Sequence, residues 1–183
     1  MEELIKNNYT DKNTVHSYLD TYNKLLKPIK YNAKNILEIG ISQGGSILLW
    51  HDFFINGNIY GCDIVDNIKV DNIKNNKRIN LYFENAYNEK FITKNFSNNN
   101  LKFDFIIDDG PHTLESMKKF INLYLPLLEE KGIFIIEDIQ NIEWFNELIE
   151  IVPEKYKKYI ELYDLRKNKN RYDDLLFVIN KNK

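Results

Sequence analysis

One glycine-rich stretch indicates the fold of this chain: Asn35-Ile36-Leu37-Glu38-Ile39-Gly40-Ile41-Ser42-Gln43-Gly44-Gly45-Ser46. Its apolar run is just long enough for a buried strand and carries one acidic residue, Glu38, near its end. The glycines that follow let the backbone take conformations that a Cβ would forbid and let a ligand approach closely. Ser46 is placed to cap the next helix. The stretch therefore predicts a strand, a glycine-rich turn and a helix.

The spacing of the glycines separates this turn from two phosphate-binding turns. The pattern Glu-x-Gly-x-x-x-Gly-Gly is not the Gly-x-Gly-x-x-Gly of a dinucleotide fingerprint, and it lacks the Gly-Lys-Ser/Thr of a phosphate loop. The anion of Glu38 would repel a pyrophosphate and favours a ligand with a positive or amino end. A nicotinamide-dependent dehydrogenase is therefore an alternative that the glycine spacing disfavours.

The composition fits one globular domain. The chain has 183 residues, 43% of them hydrophobic and 14% aromatic, which can supply a core. The net charge of −2 gives no basic field, so we expect no nucleic-acid partner. No stretch approaches the ~20 apolar residues of a membrane span, and the first residues carry no apolar run. We expect no membrane partner and no signal peptide. The single cysteine, Cys62, suits a reducing compartment, so we expect a cytoplasmic location, in the host cytoplasm if the chain is viral.

Predicted strands and helices alternate along the chain. The strands cover residues 35–39, 58–63, 79–84, 103–108, 132–137, 159–163 and 175–179, and the helices 14–26, 46–54, 89–96, 113–128 and 142–151. Residues 167–170 are predicted to be a polar hairpin loop. The pattern predicts an α/β, Rossmann-like doubly wound, mostly parallel seven-stranded sheet with an antiparallel C-terminal strand pair. We expect a single domain over residues 1–183, with residues 1–30 as an N-terminal helical lead.

Carboxylates stand at the ends of four predicted strands. They are Glu38, Asp63, Asp108 with Asp109, and Glu137 with Asp138. Ligands of such sheets bind beyond the carboxyl ends of the strands. We therefore expect these acids to place several negative charges at the mouth of one binding site there. Asp63 ends the second strand, where an acid can accept hydrogen bonds from both hydroxyls of a ribose.

Three of these acids indicate a metal site. If the fourth and fifth strands are neighbours, about 4.8 Å apart, Asp109 converges with Glu137 and Asp138. Carboxylates that share a pocket raise one another's pKa unless a cation or a proton relieves them. Oxygen ligands suit a hard divalent ion, with Mg²⁺ ahead of Ca²⁺ and Mn²⁺. The alternative is that the acids are solvated separately at the strand ends.

Four stretches of the chain resemble a known family. Glu38 to Ser46, followed by Tyr60-Gly61-Cys62-Asp63, resembles motif I and its successor in class I S-adenosylmethionine-dependent methyltransferases. Asp108-Asp109-Gly110-Pro111-His112 and Ile136-Glu137-Asp138 resemble the metal-dependent sugar O-methyltransferases that modify deoxysugars on macrolides. Similar domains occur in polysaccharide gene clusters and in large DNA viruses. The resemblance implies S-adenosylmethionine as the cofactor and a sugar or glycan as the acceptor.

The resemblance also assigns cofactor-binding residues. The methionyl part of the cofactor falls to Glu38, Gly40, Ser42 and Gly44, and the ribose to Asp63. Asn85 stands where relatives often place an aspartate against the adenine amine, and its amide oxygen can accept the same hydrogen bond. Asp108 is included in the cofactor site. Ser42 replaces a common second glycine, which leaves the course of the turn open.

The first part of the chain is similar to the same group. The resemblance there rests on Thr10-Asp11-Lys12 with His16, Tyr18 and Tyr22. The macrolide-sugar relatives carry an additional N-terminal domain, for which we expect no room in this chain. The oligomer and the acceptor contacts that such a domain builds are therefore not carried over, and a homo-oligomer stays open.

His112 is the predicted catalytic base, with Asp109 beside it. It follows Asp109 by three positions, in a loop that opens on the same mouth. A sugar hydroxyl is nearly neutral and a poor nucleophile, so a bound Mg²⁺ would lower its pKa while a neutral imidazole removes the proton during methyl attack. Without a neighbouring metal and a sulfonium donor, a lone histidine is more often structural.

Two further functions are open alternatives. A metal-dependent catechol-type O-methyltransferase shares the sheet and the divalent ion. A resemblance to that group would imply Asp-Ala-x-Lys after the fourth strand, with the lysine as base, whereas this chain has Asp-Gly-Pro-His. A non-catalytic S-adenosylmethionine-binding or scaffold protein would not need Asp109, His112, Glu137 and Asp138. The sequence leaves the sugar and its hydroxyl position open.

Overall fold

The computed structural model of the chain describes residues 1–4, 9–71 and 73–183. Among these residues, seven strands form one sheet in the order β3-β2-β1-β4-β5-β7-β6. The strands are β1 Asn35–Ile39, β2 Asn58–Asp63, β3 Ile79–Phe83, β4 Phe103–Asp108, β5 Leu128–Ile136, β6 Ile160–Asp164 and β7 Leu175–Asn180. Strands β1 to β5 pair in parallel, and β7 lies antiparallel to both β5 and β6. The predicted Rossmann-like sheet with its antiparallel C-terminal pair is confirmed.

The helices are α1 Leu19–Leu26, α2 Gly45–Phe53, α3 Glu89–Asn95, α4 Leu114–Tyr124, α5 Trp144–Ile151, α6 Glu154–Lys157 and α7 Arg166–Lys169. The short helices α6 and α7 were not predicted, and α7 replaces most of the expected hairpin loop. Helix α4 ends before Pro126, which stands in a 3-10 turn at Leu125–Leu127. Among the described residues, every helix is too short or too polar to cross a membrane.

The predicted helix over residues 14–26 begins only at Leu19. Before it, the amide groups of Val15 and His16 both donate to the carbonyl of Asp11, which closes turns and does not start an α-helix. Val15 is 41% exposed, so its apolar side chain does not mark a buried helix face. Residues 5–8 of the predicted N-terminal lead lie outside the described residues.

Each central strand has apolar side chains on both faces of the sheet. Successive residues point to opposite faces, so Leu37 joins the core under α4 and α5 while Ile36 joins the core under α1 and α2. Aromatic rings fill both layers: Phe120 stacks on Phe134 with ring centroids 4.5 Å apart. This two-sided burial explains why the central strands read as continuous apolar runs.

The fifth strand begins earlier than predicted. Leu128 pairs with Phe103, and the register shifts between Phe103 and Phe105 before regular pairing resumes at Ile133. The polar residues 129–131 are exposed within the strand, so no apolar run marks their place in the sequence.

The turn after β1 is left-handed at two glycines. Gly40 has φ +85° and Gly44 has φ +88°, values that a residue with a Cβ rarely adopts. Gly44, and not Ser46, is the N-cap of α2, so that prediction was wrong. Ser46 lies inside the helix, and its hydroxyl donates to the Glu38 carboxylate at 2.7 Å.

Candidate active site

A cavity of about 980 Å³ opens at the carboxyl ends of the parallel strands. This volume lies near the upper end of the ~300–1,000 Å³ range of small-molecule sites. Seven of the predicted site residues line it: Gly40, Ser42, Asp63, Asn85, Asp109, His112 and Asp138. The structure therefore brings the glycine turn and the Asp109–His112 loop together around one space. Four predicted site residues are not in its wall: Glu38, Gly44, Asp108 and Glu137.

Asp63 organises the glycine turn. One of its carboxylate oxygens accepts hydrogen bonds from the amides of Ile41, at 3.0 Å, and Ser42, at 2.9 Å. The other accepts from the amide of Ile64 at 2.7 Å. These bonds fix the backbone that faces the cavity. The amide of Val65 also donates to Asp63, at 3.3 Å. The predicted contact of Asp63 with a ribose stays a prediction, and the ribose hydroxyls would compete with these amides for the carboxylate.

Glu38 lies behind the turn and not in the cavity wall. It is fully buried, and one oxygen accepts from the Ser46 hydroxyl. The other, Oε1, has no hydrogen-bond partner within the described chain and lies 3.4 Å from the ammonium of Lys12. Burial raises the pKa of Glu38 to about 7, although Lys12 opposes the shift. Glu38 is therefore one residue behind the cavity wall, and its predicted contact with a cofactor stays a prediction.

Asp108 and Gly44 also differ from the prediction. The Asp108 carboxylate is buried and accepts a hydrogen bond from the Tyr87 hydroxyl, which ties the end of β4 to the loop after β3. Burial raises the pKa of Asp108 to about 7, against the hydrogen bond from Tyr87. A Cβ on Gly44 would lie 2.5 Å from Cδ1 of Ile73, so this glycine packs against a side chain. Both residues shape the site from outside the cavity.

Lys12 is the residue that sequence reasoning missed. Its side chain is 1% exposed, and its ammonium donates to Oδ2 of Asp109 at 2.7 Å and to Oε1 of Glu137. Burial lowers the pKa of Lys12, but the surrounding carboxylates outweigh burial and raise the pKa well above its usual value. The lysine is therefore a fixed positive charge. In a chain with 25 basic residues, only the family resemblance of Thr10-Asp11-Lys12 distinguishes it, and that resemblance gave it no role.

Glu137 and Asp138 point in different directions. The two oxygens of Glu137 accept from the Lys12 ammonium and from the Tyr22 hydroxyl, both buried. Asp138 accepts from the Tyr18 hydroxyl at 2.5 Å and has a left-handed backbone, with φ +56°. Burial raises the pKa of both carboxyls, and the neighbouring Asp109 adds to the shift. The left-handed backbone conformation at Asp138 directs the two adjacent side chains apart.

One group of side chains at the cavity is suited to a metal ion. Asp109, His112 and Asp138 each offer a ligand atom, and these atoms lie within 4.8 Å of one another. Nε2 of His112 is 3.7 Å from Oδ1 of Asp109 and 3.8 Å from Oδ2 of Asp138. The oxygens of Glu137, the third predicted ligand, accept from Lys12 and Tyr22. The trio of Asp109, Glu137 and Asp138 therefore stays a prediction. Mg²⁺ commonly uses one or two carboxylates, so Asp109 and Asp138 fit such an ion.

The segment before α1 closes one side of the site. Lys12 reaches Asp109 and Glu137, while Nδ1 of His16 lies 2.6 Å from Oδ1 of Asp174 and 3.3 Å from Oδ1 of Asp138. In the sequence, only the family resemblance connects Lys12 and His16 with the site. Their polar contacts explain why the segment forms turns and not a helix.

Comparisons with known proteins identify the family of the chain. The sequence model of a family described as methyltransferase domain matches residues 30–177. The mycinamicin VI 2''-O-methyltransferase of Micromonospora griseorubida is 27% identical over 152 residues, which are 79% of this chain and 37% of that enzyme. The demethylmacrocin O-methyltransferase of Streptomyces fradiae gives the same identity and coverage. The chain thus spans 37% of the length of these two relatives.

A solved structure shares the fold. It is the methyltransferase MycE of the mycinamycin biosynthetic pathway, in complex with Mg, SAH and mycinamycin VI. It superposes with a TM-score of 0.70 at 22% sequence identity, over 91% of this chain and 49% of that chain.

Proposed function

The chain belongs to the methyltransferase-domain family, and from this premise we propose that it is an S-adenosylmethionine-dependent O-methyltransferase acting on a sugar hydroxyl. The acceptor is a glycan or a glycosylated product. One observation carries the proposal: Nε2 of His112 and the carboxylates of Asp109 and Asp138 face the same cavity as the glycine turn. A methyl donor and a polar acceptor both fit in that space.

The turn after β1 would hold the methyl donor. Gly40, Ser42 and Asp63 line the cavity, and Asp63 would accept from the ribose hydroxyls. Asn85 follows β3 and lines the wall, where its amide oxygen can accept from an adenine amine. Glu38 would act through Ser46 and Lys12, by fixing the turn from behind.

His112 would take the proton from the acceptor hydroxyl. Its imidazole is one-third exposed at the cavity, so an acceptor can approach Nε2. The two carboxylates near Nε2 favour the imidazolium that forms when the proton arrives, and a cation bound to them would weaken this effect. Asp109 and Asp138 would also hold a divalent ion, preferably Mg²⁺, whose chemistry is to lower the pKa of a bound hydroxyl.

The choice of a sugar acceptor rests on the relatives. The two bacterial relatives are named as enzymes that methylate mycinamicin VI, at its 2'' oxygen, and demethylmacrocin. The Asp-Gly-Pro-His sequence after β4 supports a sugar over a catechol as acceptor. The resemblance to the catechol-type group would imply a lysine in place of the histidine. We also propose that residues 1–183 act as one domain, because Lys12 and α1 complete the same site and core.

A methyl-transfer assay tests the proposal. The chain is incubated with S-adenosylmethionine carrying a labelled methyl group and with separate panels of nucleotide sugars, glycans and catechols. Label should appear on a sugar-containing acceptor and not on a catechol. Transfer to a catechol alone would overturn the sugar assignment, and S-adenosylhomocysteine binding without transfer to any acceptor would favour a binding protein.

A further inference from the structure

One exposed tyrosine ring is held beside the cavity. Tyr172 is 60% exposed and lies in the turn that leads into β7. Its hydroxyl donates to Oε1 of Gln140 at 2.7 Å, and Nε2 of Gln140 donates to the carbonyl oxygen of Asp138 at 2.9 Å. Asp138 lines the cavity. The ring is therefore two hydrogen bonds away from a residue of the candidate active site.

The turn that carries Tyr172 is anchored at the same end of the sheet as the cavity. The carbonyl oxygen of the next residue, Asp173, accepts from the Tyr18 hydroxyl at 3.2 Å, and the same hydroxyl donates to Asp138. Strand β7 begins at Leu175 and runs antiparallel to β5, so its first residues lie at the carboxyl end of β5. Tyr172 is thus outside the cavity wall but at the cavity end of the sheet.

Arg171 lies against the Tyr172 ring. Its guanidinium carbon is 5.8 Å from the ring centroid, within the ~6 Å range of a cation–π contact. The guanidinium is itself held in place, because one of its terminal nitrogens lies 2.9 Å from Oδ2 of Asp173. Gln140 holds the hydroxyl and Arg171 holds the ring, so the side chain is ordered before any ligand binds. A ligand on the exposed surface of the ring therefore costs little additional side-chain entropy.

A sugar ring suits such a surface. One face of many pyranoses carries mainly C–H bonds, whose hydrogens are slightly positive, and the face of an aromatic ring is the negative part of its quadrupole. A single exposed aromatic side chain is common and needs no explanation by itself. Tyr172 differs because two contacts fix it and because it stands beside the cavity. The guanidinium beside it is already paired with Asp173, so it gains less from the diphosphate of a nucleotide sugar.

We propose that the Tyr172 ring stacks on the sugar unit that is linked to the methylated one. The inference rests on the proposed function, which makes the acceptor a sugar and places its reacting hydroxyl at His112 inside the cavity. Because Tyr172 lies outside the cavity wall, its ring meets the next unit of the acceptor. The acceptor is therefore at least two linked sugars, and not a free monosaccharide or a nucleoside diphosphate sugar.

Binding of matched saccharides tests the proposal. The probes are methyl glycosides of monosaccharides, and of disaccharides that end in the same sugars, titrated by saturation-transfer NMR in Mg²⁺ and S-adenosylhomocysteine. The wild type should bind at least one disaccharide ~10-fold more tightly than its terminal monosaccharide, about what one ring contact and its buried area contribute. Tyr172→Ala should remove this preference and leave monosaccharide affinity unchanged. A wild type without the preference, or a preference that survives in Tyr172→Ala, would overturn the proposal.

Two further variants separate stacking from a structural role. Tyr172→Phe keeps the ring and loses only the hydrogen bond to Gln140, so it should retain most of the disaccharide preference. Tyr31→Ala is the matched control, because Tyr31 is 61% exposed, lies 5.3 Å from the Lys30 ammonium and precedes β1 at the opposite end of the sheet. It should bind like the wild type. Equal loss of preference in Tyr31→Ala, or weaker S-adenosylhomocysteine binding in Tyr172→Ala, would overturn the proposal.

Nucleoside diphosphate sugars supply the last arm of the experiment. If they bind to the wild type and lose affinity in Tyr172→Ala, the ring stacks on a nucleobase and the proposal is wrong. Transfer of a labelled methyl group separates this proposal from the proposed function. Transfer to a sugar with no dependence on Tyr172 overturns the stacking role alone. A disaccharide preference that depends on Tyr172, without transfer to any sugar, overturns the proposed function alone.

Discussion

Gly40 and Asp109 lie in direct backbone contact across the floor of the cavity. A Cβ built on Gly40 would be 1.8 Å from the carbonyl oxygen of Asp109. The amide of Asp109 in turn donates to the carbonyl of Ile39 at 2.7 Å. The turn proposed to hold the methyl donor and the loop proposed to hold the base are therefore packed directly against each other.

Gly40→Ala should damage both stability and methyl-donor binding. The added methyl group meets backbone, which cannot move aside, and alanine disfavours φ +85°. Overpacking typically costs ~1–3 kcal/mol, to be measured by urea denaturation. Gly132→Ala is the control for ligand binding, because its Cβ would meet Leu128 and the carbonyl oxygen of Phe103, away from the cavity. It should cost stability but leave S-adenosylhomocysteine affinity unchanged. Unchanged stability and S-adenosylhomocysteine affinity in Gly40→Ala would refute the contact.

Asp63→Ala should weaken S-adenosylhomocysteine binding by ~1.5–3 kcal/mol, as expected for lost hydrogen bonds to a charged group. The variant loses the proposed ribose acceptor and also the bonds that hold the amides of Ile41 and Ser42. Isothermal calorimetry measures the affinity. Asp66→Ala is the control, since Asp66 is an exposed acid paired with Lys74. Equal affinities in all three proteins would remove Asp63 from the site.

Asp108 should make stability depend on pH. Burial raises its pKa to about 7 in the folded chain, whereas an unfolded aspartate titrates near ~4. The folded state holds the proton more tightly, so the stabilising contribution is complete below the unfolded pKa and is lost as the pH rises to the folded pKa. The unfolding free energy of the wild type should therefore fall relative to that of Asp108→Asn across this interval. A constant difference, measured in EDTA without cofactor, would contradict the shift.

The sequence predicted the sheet well because burial on both faces leaves a simple pattern. Residues 103–108 and 175–179 stand out because both are mostly apolar runs, and the first of them ends in an acid. Strand β5 was misplaced at its start because Leu128 pairs across an irregular register with Phe103. No local pattern records such a pairing.

The site was harder to predict, because it depends on contacts between distant parts of the chain. Acids at strand ends identified Asp63, Asp109 and Asp138 as cavity residues. The same rule placed Glu137 there, but its side chain lies outside the cavity wall and accepts a hydrogen bond from Lys12, 125 positions earlier. A single lysine in a polar segment carries no local signal of burial.

Replacing the proposed base should affect turnover more than binding. His112→Ala removes the proposed base, whose Nε2 lies 3.7 Å from Asp109 and 3.8 Å from Asp138, and leaves both carboxylates in place. Loss of a general base costs ~10²–10⁴ in rate, which should appear in kcat far more than in KM. His51→Ala, on α2 and beside Asp52, is the control. Wild-type kcat in His112→Ala would mean that another group takes the proton.

The central claim is methyl transfer to a sugar hydroxyl at a site that uses a divalent ion. The most direct measurement is the mass of a sugar acceptor after incubation with the chain and S-adenosylmethionine, in Mg²⁺ and in excess EDTA. We expect the acceptor mass to rise by one methylene in Mg²⁺ and to stay unchanged in EDTA, with S-adenosylhomocysteine still bound in both. Full transfer in EDTA, or an unchanged acceptor mass across the sugar panel in Mg²⁺, would contradict it.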